Sequence, residues 1–178
     1  LALSFQAFFN GTSPIAYPDI TYSFYPVWCR LFNIDFKTHP LAEDFRINAE
    51  DYKEPNGGVV IPNPNAPTSL GEGEGFIRKI MDYNQDSIVI IDEAYVDFGG
   101  YSSVLLTKEY ENLLVCGTFS KSRSLAGMRI GFAIGSKTLI SVLEAVKNSY
   151  NSYTVNSISM AAGTAAIKDT DYFKATVS

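Results

Sequence analysis

A chain of 178 residues with 46% hydrophobic and 19% charged residues can bury one substantial core and has the balance of an ordinary globular protein. Its formal net charge of −5, with Lys and Arg scattered rather than clustered, argues against a nucleic-acid or anionic-membrane surface. No apolar run approaches the roughly 20 residues of a membrane span, and a single histidine, His39, sets aside zinc sites and Ser-His-Asp triads.

The chain opens without a methionine in an apolar stretch. Residues Leu1, Phe5, Phe8 and Phe9 fit one helical face, and Asn10-Gly11 is a sensible stop. Both ends read as cut from a longer polypeptide. Short apolar runs follow at Pro14–Tyr17, Asp35–Thr38, Gly58–Pro62, Ser87–Asp92, Asn112–Thr118 and Ile130–Gly135, and each is a candidate strand. Ile88-Val-Ile-Ile91 is apolar at every position, which suits a parallel strand covered on both faces.

Between the runs lie amphipathic segments. Tyr22, Tyr25, Cys29 and Phe32 share one helical face, with Pro26 tolerable only in the first turn. Residues Phe76–Tyr83 give a shorter helix, preceded by a turn containing Gly71, Gly73 and Gly75. Leu139, Val142, Leu143, Val146 and Tyr150 repeat at helical spacing behind Ser136, a plausible N-cap. Strands alternating with helices predict an α/β domain of three layers with a mainly parallel mixed sheet. A small lobe is expected to begin, or to be truncated, after about residue 150. Cys29 and Cys116 lack metal or redox spacing and read as reduced, buried thiols, which suggests the cytoplasm.

Ligands of such a sheet bind beyond the carboxyl ends of its strands. There the sequence offers Asn63-Pro-Asn65-Ala66-Pro-Thr-Ser69, then Asp92-Glu-Ala-Tyr95, then Gly117-Thr118-Phe-Ser120-Lys121-Ser122. An acidic strand with a nearby Gly and Lys-Ser invites a phosphate-loop reading. That loop needs a second glycine immediately before its lysine, where Ser120 stands, and its lysine precedes the acidic strand instead of following it. Pyridoxal phosphate fits better. It needs a lysine for a Schiff base, a carboxylate for the pyridine nitrogen, and cationic and hydroxyl partners for its phosphate. Taken singly, each candidate has an ordinary structural reading. Lys121 could be a surface amine, Asp92 a cap, Tyr22 and Tyr95 core or rim aromatics, and Arg129 half of a surface ion pair.

Their joint order decides. Asp92-Glu-Ala-Tyr-Val-Asp-Phe98 and Thr118-Phe-Ser-Lys-Ser-Arg-Ser-Leu-Ala-Gly-Met-Arg-Ile-Gly-Phe132 resemble the two signature segments of fold-type-I aminotransferases. With Pro18-Asp-Ile-Thr-Tyr-Ser-Phe-Tyr-Pro26 they resemble the histidinol-phosphate aminotransferase family in particular. The resemblance runs from Leu1 to about residue 168 and covers the middle portion of that family's polypeptide. It implies that Lys121 carries the cofactor and shuttles the substrate proton. Asp92 would pair with the ring nitrogen, Tyr95 would bond the phenolic oxygen, and Tyr22 would stack on the ring. Thr118, Ser120 and Arg129 would hold the phosphate. The family's asparagine before Pro-Thr-Gly is Ala66 here, with Asn65 one position earlier as the substitute contact and Ser69 in place of the glycine.

The resemblance also implies a reaction and partners. Residues 1–168 would be the cofactor-binding large domain, and residues 169–178 the start of a connection to a small C-terminal domain. The donor would be L-histidinol phosphate, the acceptor 2-oxoglutarate, and the full-length protein a cytoplasmic homodimer. A phosphothreonine decarboxylase or an aromatic aminotransferase would share the same cofactor residues. A ligand-sensing module on this fold, or a structural fragment without cofactor, are readings from other classes.

Overall fold

All six apolar runs form strands. In the computed structural model, which describes residues 1–178, they are β1 (Ile15–Pro18), β2 (Phe36–His39), β3 (Val59–Pro62), β4 (Val89–Asp92), β5 (Leu113–Thr118) and β6 (Gly131–Gly135). They make one sheet in the order β2-β1-β3-β4-β5-β6. The first five are parallel, and β6 runs antiparallel against β5.

Alternation along the strands builds the two faces. Val59, Ile61, Val89, Ile91, Leu113 and Val115 point to one side, where Ile77, Ile80 and Met81 of helix α3 (Glu74–Tyr83) cover them. Val60, Ile90, Leu114 and Cys116 point to the other. They meet Phe5 of α1 (Ala2–Phe8), Tyr25 and Cys29 of α2 (Tyr25–Phe32) and Leu139 of α4 (Lys137–Asn151). Two buried faces and two helical layers explain why β3 and β4 are apolar at nearly every position. Both cysteines are buried and unbonded to each other.

Local chemistry sets the ends of the helices. Pro26 lies in the first turn of α2, where its missing N–H is not needed, and Asn33 closes that helix in the left-handed region. Ser136 caps α4 by accepting from the Leu139 N–H.

Two expectations need correction. Helix α2 begins at Tyr25, so Tyr22 lies in the preceding loop and not on the helix face. Helix α3 begins at Glu74, capped by Gly73, and takes Gly75 inside. Two further helices, α5 (Ser157–Lys168) and α6 (Thr170–Val177), follow where the sequence offered no clear periodicity. Helix α5 packs back on the sheet domain: Ser159 Oγ donates to the Met128 carbonyl at 2.8 Å, and Gly163 lies against Ile130. No helix is long and apolar enough to cross a membrane.

Candidate active site

Parallel strands deliver their carboxyl ends to one edge, and the register Pro62↔Asp92↔Cys116 aligns three of them. A cavity of about 400 Å³ opens at this edge. Tyr22, Asp92, Thr118, Ser120, Lys121 and Arg129 line it, together with Trp28. Six of the eight residues singled out from the sequence therefore share one cavity.

Asp92 is the deepest charged group in it, 5% exposed. Its Oδ2 accepts from the Tyr25 hydroxyl at 2.6 Å, and its Oδ1 accepts from the Ala94 N–H at 3.2 Å. Burial raises the carboxyl's pKa from its ordinary value, and the two hydrogen bonds, the Leu1 amine and the Lys121 side chain oppose that push. Next in the chain, Glu93 is also buried, but it faces away. It accepts from Ser102 Oγ and from the Ser103 N–H, anchoring the loop that follows β4.

The floor of the cavity comes from the turn after β5. Thr118 Oγ1 accepts from the Ser120 N–H at 3.1 Å and lies 2.9 Å from Ser120 Oγ. Together the two hydroxyls form a compact polar ledge. Arg129 stands at the far end of the loop with φ of 54°, a left-handed conformation uncommon for a side-chain-bearing residue, and Nη1 donates to the Ala126 carbonyl. That bond leaves most of the guanidinium's donors free.

Lys121 extends from the same turn. Its Nζ lies 4.8 Å from the centroid of the Tyr95 ring, within cation–π range. Tyr95 lines a second cavity of about 420 Å³, with Pro64, Asn65, Ala66, Pro67, Ser69 and Phe98. The Lys121–Tyr95 pair thus stands between the two. Asn65 is 2% exposed and belongs to this second cavity. Its Nδ2 is spent on the Ile20 carbonyl at 3.0 Å, and its Oδ1 is buried without a partner. With no amide at Ala66 and the Asn65 N–H groups turned toward Ile20, Asn65 is not in the Lys121 cavity.

Several residues around the cavity carry no sign of a role in the sequence. In the sequence Tyr25 has only the character of a helix-face aromatic, and its spacing of three from Tyr22 is the one signal. Trp28 completes the aromatic wall, edge-on to Tyr22 at 5.9 Å. Ser122, 1% exposed, donates to Asp97 and ties the lysine turn to the loop bearing Tyr95.

The fit of these groups to a phosphorylated aromatic aldehyde is direct. A buried carboxylate faces a cavity of a size that suits a one-ring phosphate ester. An amine lines it, an aromatic wall flanks it, and a hydroxyl ledge with a guanidinium completes it. No group of three or more His, Cys, Asp or Glu side chains could hold a metal ion.

The family model for aminotransferase class I and II matches residues 1–178, the whole chain. The chain belongs to the class I and II aminotransferases. Among the relatives of this aminotransferase chain, the histidinol-phosphate aminotransferase of Clostridium botulinum strain Langeland is 56% identical over 174 residues, 98% of this chain and 49% of the relative. The histidinol-phosphate aminotransferase of Acinetobacter baumannii strain AYE is 55% identical over the same share of this chain and 48% of its own length. The chain spans about half the length of the curated relatives it matches. The crystal structure of the histidinol-phosphate aminotransferase from Clostridium acetobutylicum superposes with a TM-score of 0.86 at 22% identity, over 99% of this chain and 53% of that one, a likeness of fold. An aromatic aminotransferase from Pyrococcus horikoshii superposes at 0.84 with 26% identity, over 98% of this chain and 50% of its own. The mostly parallel sheet flanked by helices is the fold-type-I architecture of pyridoxal-phosphate-dependent transferases.

Proposed function

We propose that this chain is the pyridoxal-phosphate-binding part of an enzyme that moves an amino group from L-histidinol phosphate to 2-oxoglutarate. The observation that carries the cofactor assignment is one cavity holding Lys121, a buried Asp92, the Thr118–Ser120 ledge and Arg129. The substrate assignment is supported by relatives above half identity that carry the histidinol-phosphate aminotransferase name. On this reading residues 1–168 are the cofactor-binding large domain, and residues 169–178 begin the connection to the remainder. The whole protein is read as a homodimer working on small-molecule donors and acceptors.

When bound, pyridoxal phosphate supplies an aldehyde and an electron-withdrawing pyridinium ring that accepts the electron pair left at the donor's Cα. Arg129, Thr118 and Ser120 would hold the phosphate, the guanidinium as a charged donor and the hydroxyls as neutral ones. Asp92 would pair with the ring nitrogen and, in its ionised form, favour a proton there. Tyr22 would cover one ring face and exclude water from it, and the Tyr95 hydroxyl would donate to the phenolic oxygen. Lys121 provides the covalent tether through Nζ. The same Nζ, once freed by the donor amine, would be the base that takes the donor's Cα proton and the acid that returns it across the intervening nitrogen to the aldehyde-derived carbon.

The test begins with an absorbance scan of the chain with added pyridoxal phosphate, beside Lys121→Ala. A visible band present only in the unsubstituted chain supports the cofactor reading, and no band in either sinks it. Adding L-histidinol phosphate, phosphothreonine or an aromatic amino acid then reads the donor. Bleaching of the band by L-histidinol phosphate at the lowest concentration is the expected result.

A further inference from the structure

Tyr25 is the least exposed polar group beside the cavity, and its ring touches most of what shapes it. It lies edge-on to Tyr22 at 5.7 Å, and edge-on to Tyr17 at 5.6 Å. It also stacks on Phe5 at 5.7 Å. Its hydroxyl, locked by this packing, reaches only Asp92 Oδ2, at 2.6 Å. At 0% exposure no water can substitute for it. The groups that face Asp92 are few: the Tyr25 hydroxyl from α2, the Ala94 N–H on its own loop, the Cys116 thiol from β5, Lys121 from the turn after β5, and the amine of Leu1. Of these, Tyr25 and the Ala94 N–H alone make a hydrogen bond to the carboxyl.

We propose that Tyr25 is a positioning residue for Asp92: its hydroxyl holds the buried carboxyl in its ionised form and in one orientation, ready to receive the N–H of a protonated heteroaromatic ring. The proposal rests on the cofactor reading above. The physical case is that burial favours a neutral carboxyl, and a neutral carboxyl cannot hold a proton on the ring nitrogen. A short hydrogen bond from a neutral donor stabilises the anion without competing for charge. Each oxygen of a carboxylate has two lone-pair directions. Tyr25 on Oδ2 and the Ala94 N–H on Oδ1 therefore fix the plane of the group and leave it able to accept once more. The contact with Tyr22 adds a second constraint, because the residue that orients the carboxyl also supports the ring that flanks the cavity.

Tyr25→Phe removes the hydroxyl and keeps the aromatic packing, so it is the first variant. The titration of Asp92 is followed by carboxyl-carbon NMR on the cofactor-free chain, and attachment of pyridoxal phosphate to Lys121 by absorbance as a function of pH. In Tyr25→Phe the Asp92 midpoint moves to higher pH, and cofactor affinity at neutral pH falls about tenfold. In the Asp92→Asn background, Tyr25→Phe has no further effect on affinity. A ring-fluorinated tyrosine at position 25, a stronger donor with nearly unchanged shape, moves the Asp92 midpoint to lower pH and serves also if the Phe variant does not fold. An unmoved midpoint in both variants overturns the proposal, as does an equal affinity loss in the Asp92→Asn background. If the unsubstituted chain never attaches pyridoxal phosphate at Lys121, the cofactor reading fails, while the NMR titration still decides what Tyr25 does to Asp92.

Discussion

The Lys121 ammonium rests 4.8 Å from the centroid of the Tyr95 ring, and the residues just beyond each of them are joined as well, Ser122 donating to Asp97. Two loops from neighbouring strands are thus pinned together one residue past the lysine and two past the tyrosine. Ser122 is 1% exposed, so its hydroxyl has nowhere else to turn. This contact sets where the lysine stem leaves the backbone. Ser122→Ala or Asp97→Ala is expected to lower attachment of pyridoxal phosphate at Lys121 several-fold. The double variant should lose little more than either single one, because both remove the same bond. Equilibrium titration of the four proteins measures the coupling, and independent, additive losses would count against this account.

Arg129 offers a sharper ligand test. A guanidinium grips a phosphate through paired donors, whereas an ammonium acts as a point charge. Arg129→Lys keeps the charge and is expected to weaken binding of pyridoxal phosphate by about tenfold. Binding of pyridoxal, which lacks the phosphate, should hardly change. Competition titration with the two compounds separates these outcomes, and equal losses for both would move Arg129 out of the phosphate site.

Much of this arrangement was legible in the sequence because the core pattern is strong. Ile88–Ile91 is apolar throughout, and a strand buried on both faces has little alternative. The strand ends show which loops share an edge, so the sequence alone brings Asp92 and Lys121 together. Tyr25 was harder. In sequence it is one more aromatic at helical spacing, and only packing against Phe5, Tyr17 and Tyr22 shows its hydroxyl turned to Asp92. The sequence Ser157-Ile-Ser-Met-Ala-Ala-Gly-Thr-Ala-Ala-Ile-Lys168 hid helix α5, because its small residues make no apolar stripe. For Asn65, spacing carries no sign that its amide is bonded to the Ile20 carbonyl.

Asp92 also carries a pH signature in the absence of any ligand. Burial raises its pKa in the folded chain above the unfolded value. Stability from such a group is fully present below the unfolded value and is lost as pH rises through the folded one. Asp92→Asn removes the ionisation. The variant without cofactor should therefore be more stable than the unsubstituted chain at neutral pH, with the advantage vanishing in acid below the ordinary carboxylate range. Denaturant melts at several pH values check the sign. A constant difference across the range would show that Asp92 ionises as freely folded as unfolded.

Helix α5 holds the other side of the Lys121–Arg129 loop. The Ser159 hydroxyl, 2% exposed, donates to the Met128 carbonyl one residue before Arg129, whose left-handed backbone must be held by its neighbours. Arg123 strengthens the clamp, since its Nη1 donates to the Ala166 carbonyl and its guanidinium stacks 3.7 Å from the Phe173 ring centroid. Ser159→Ala leaves the Met128 carbonyl without that partner and should cost about 1 kcal/mol of stability. It should also loosen Arg129 and lower affinity for pyridoxal phosphate more than for pyridoxal. The two effects separate in measurement: denaturant melts read the lost hydrogen bond, and the ratio of the two affinities reads the position of the guanidinium. A stability loss with an unchanged ratio would confine α5 to a scaffolding role, whereas a shifted ratio would make it part of the phosphate site's support.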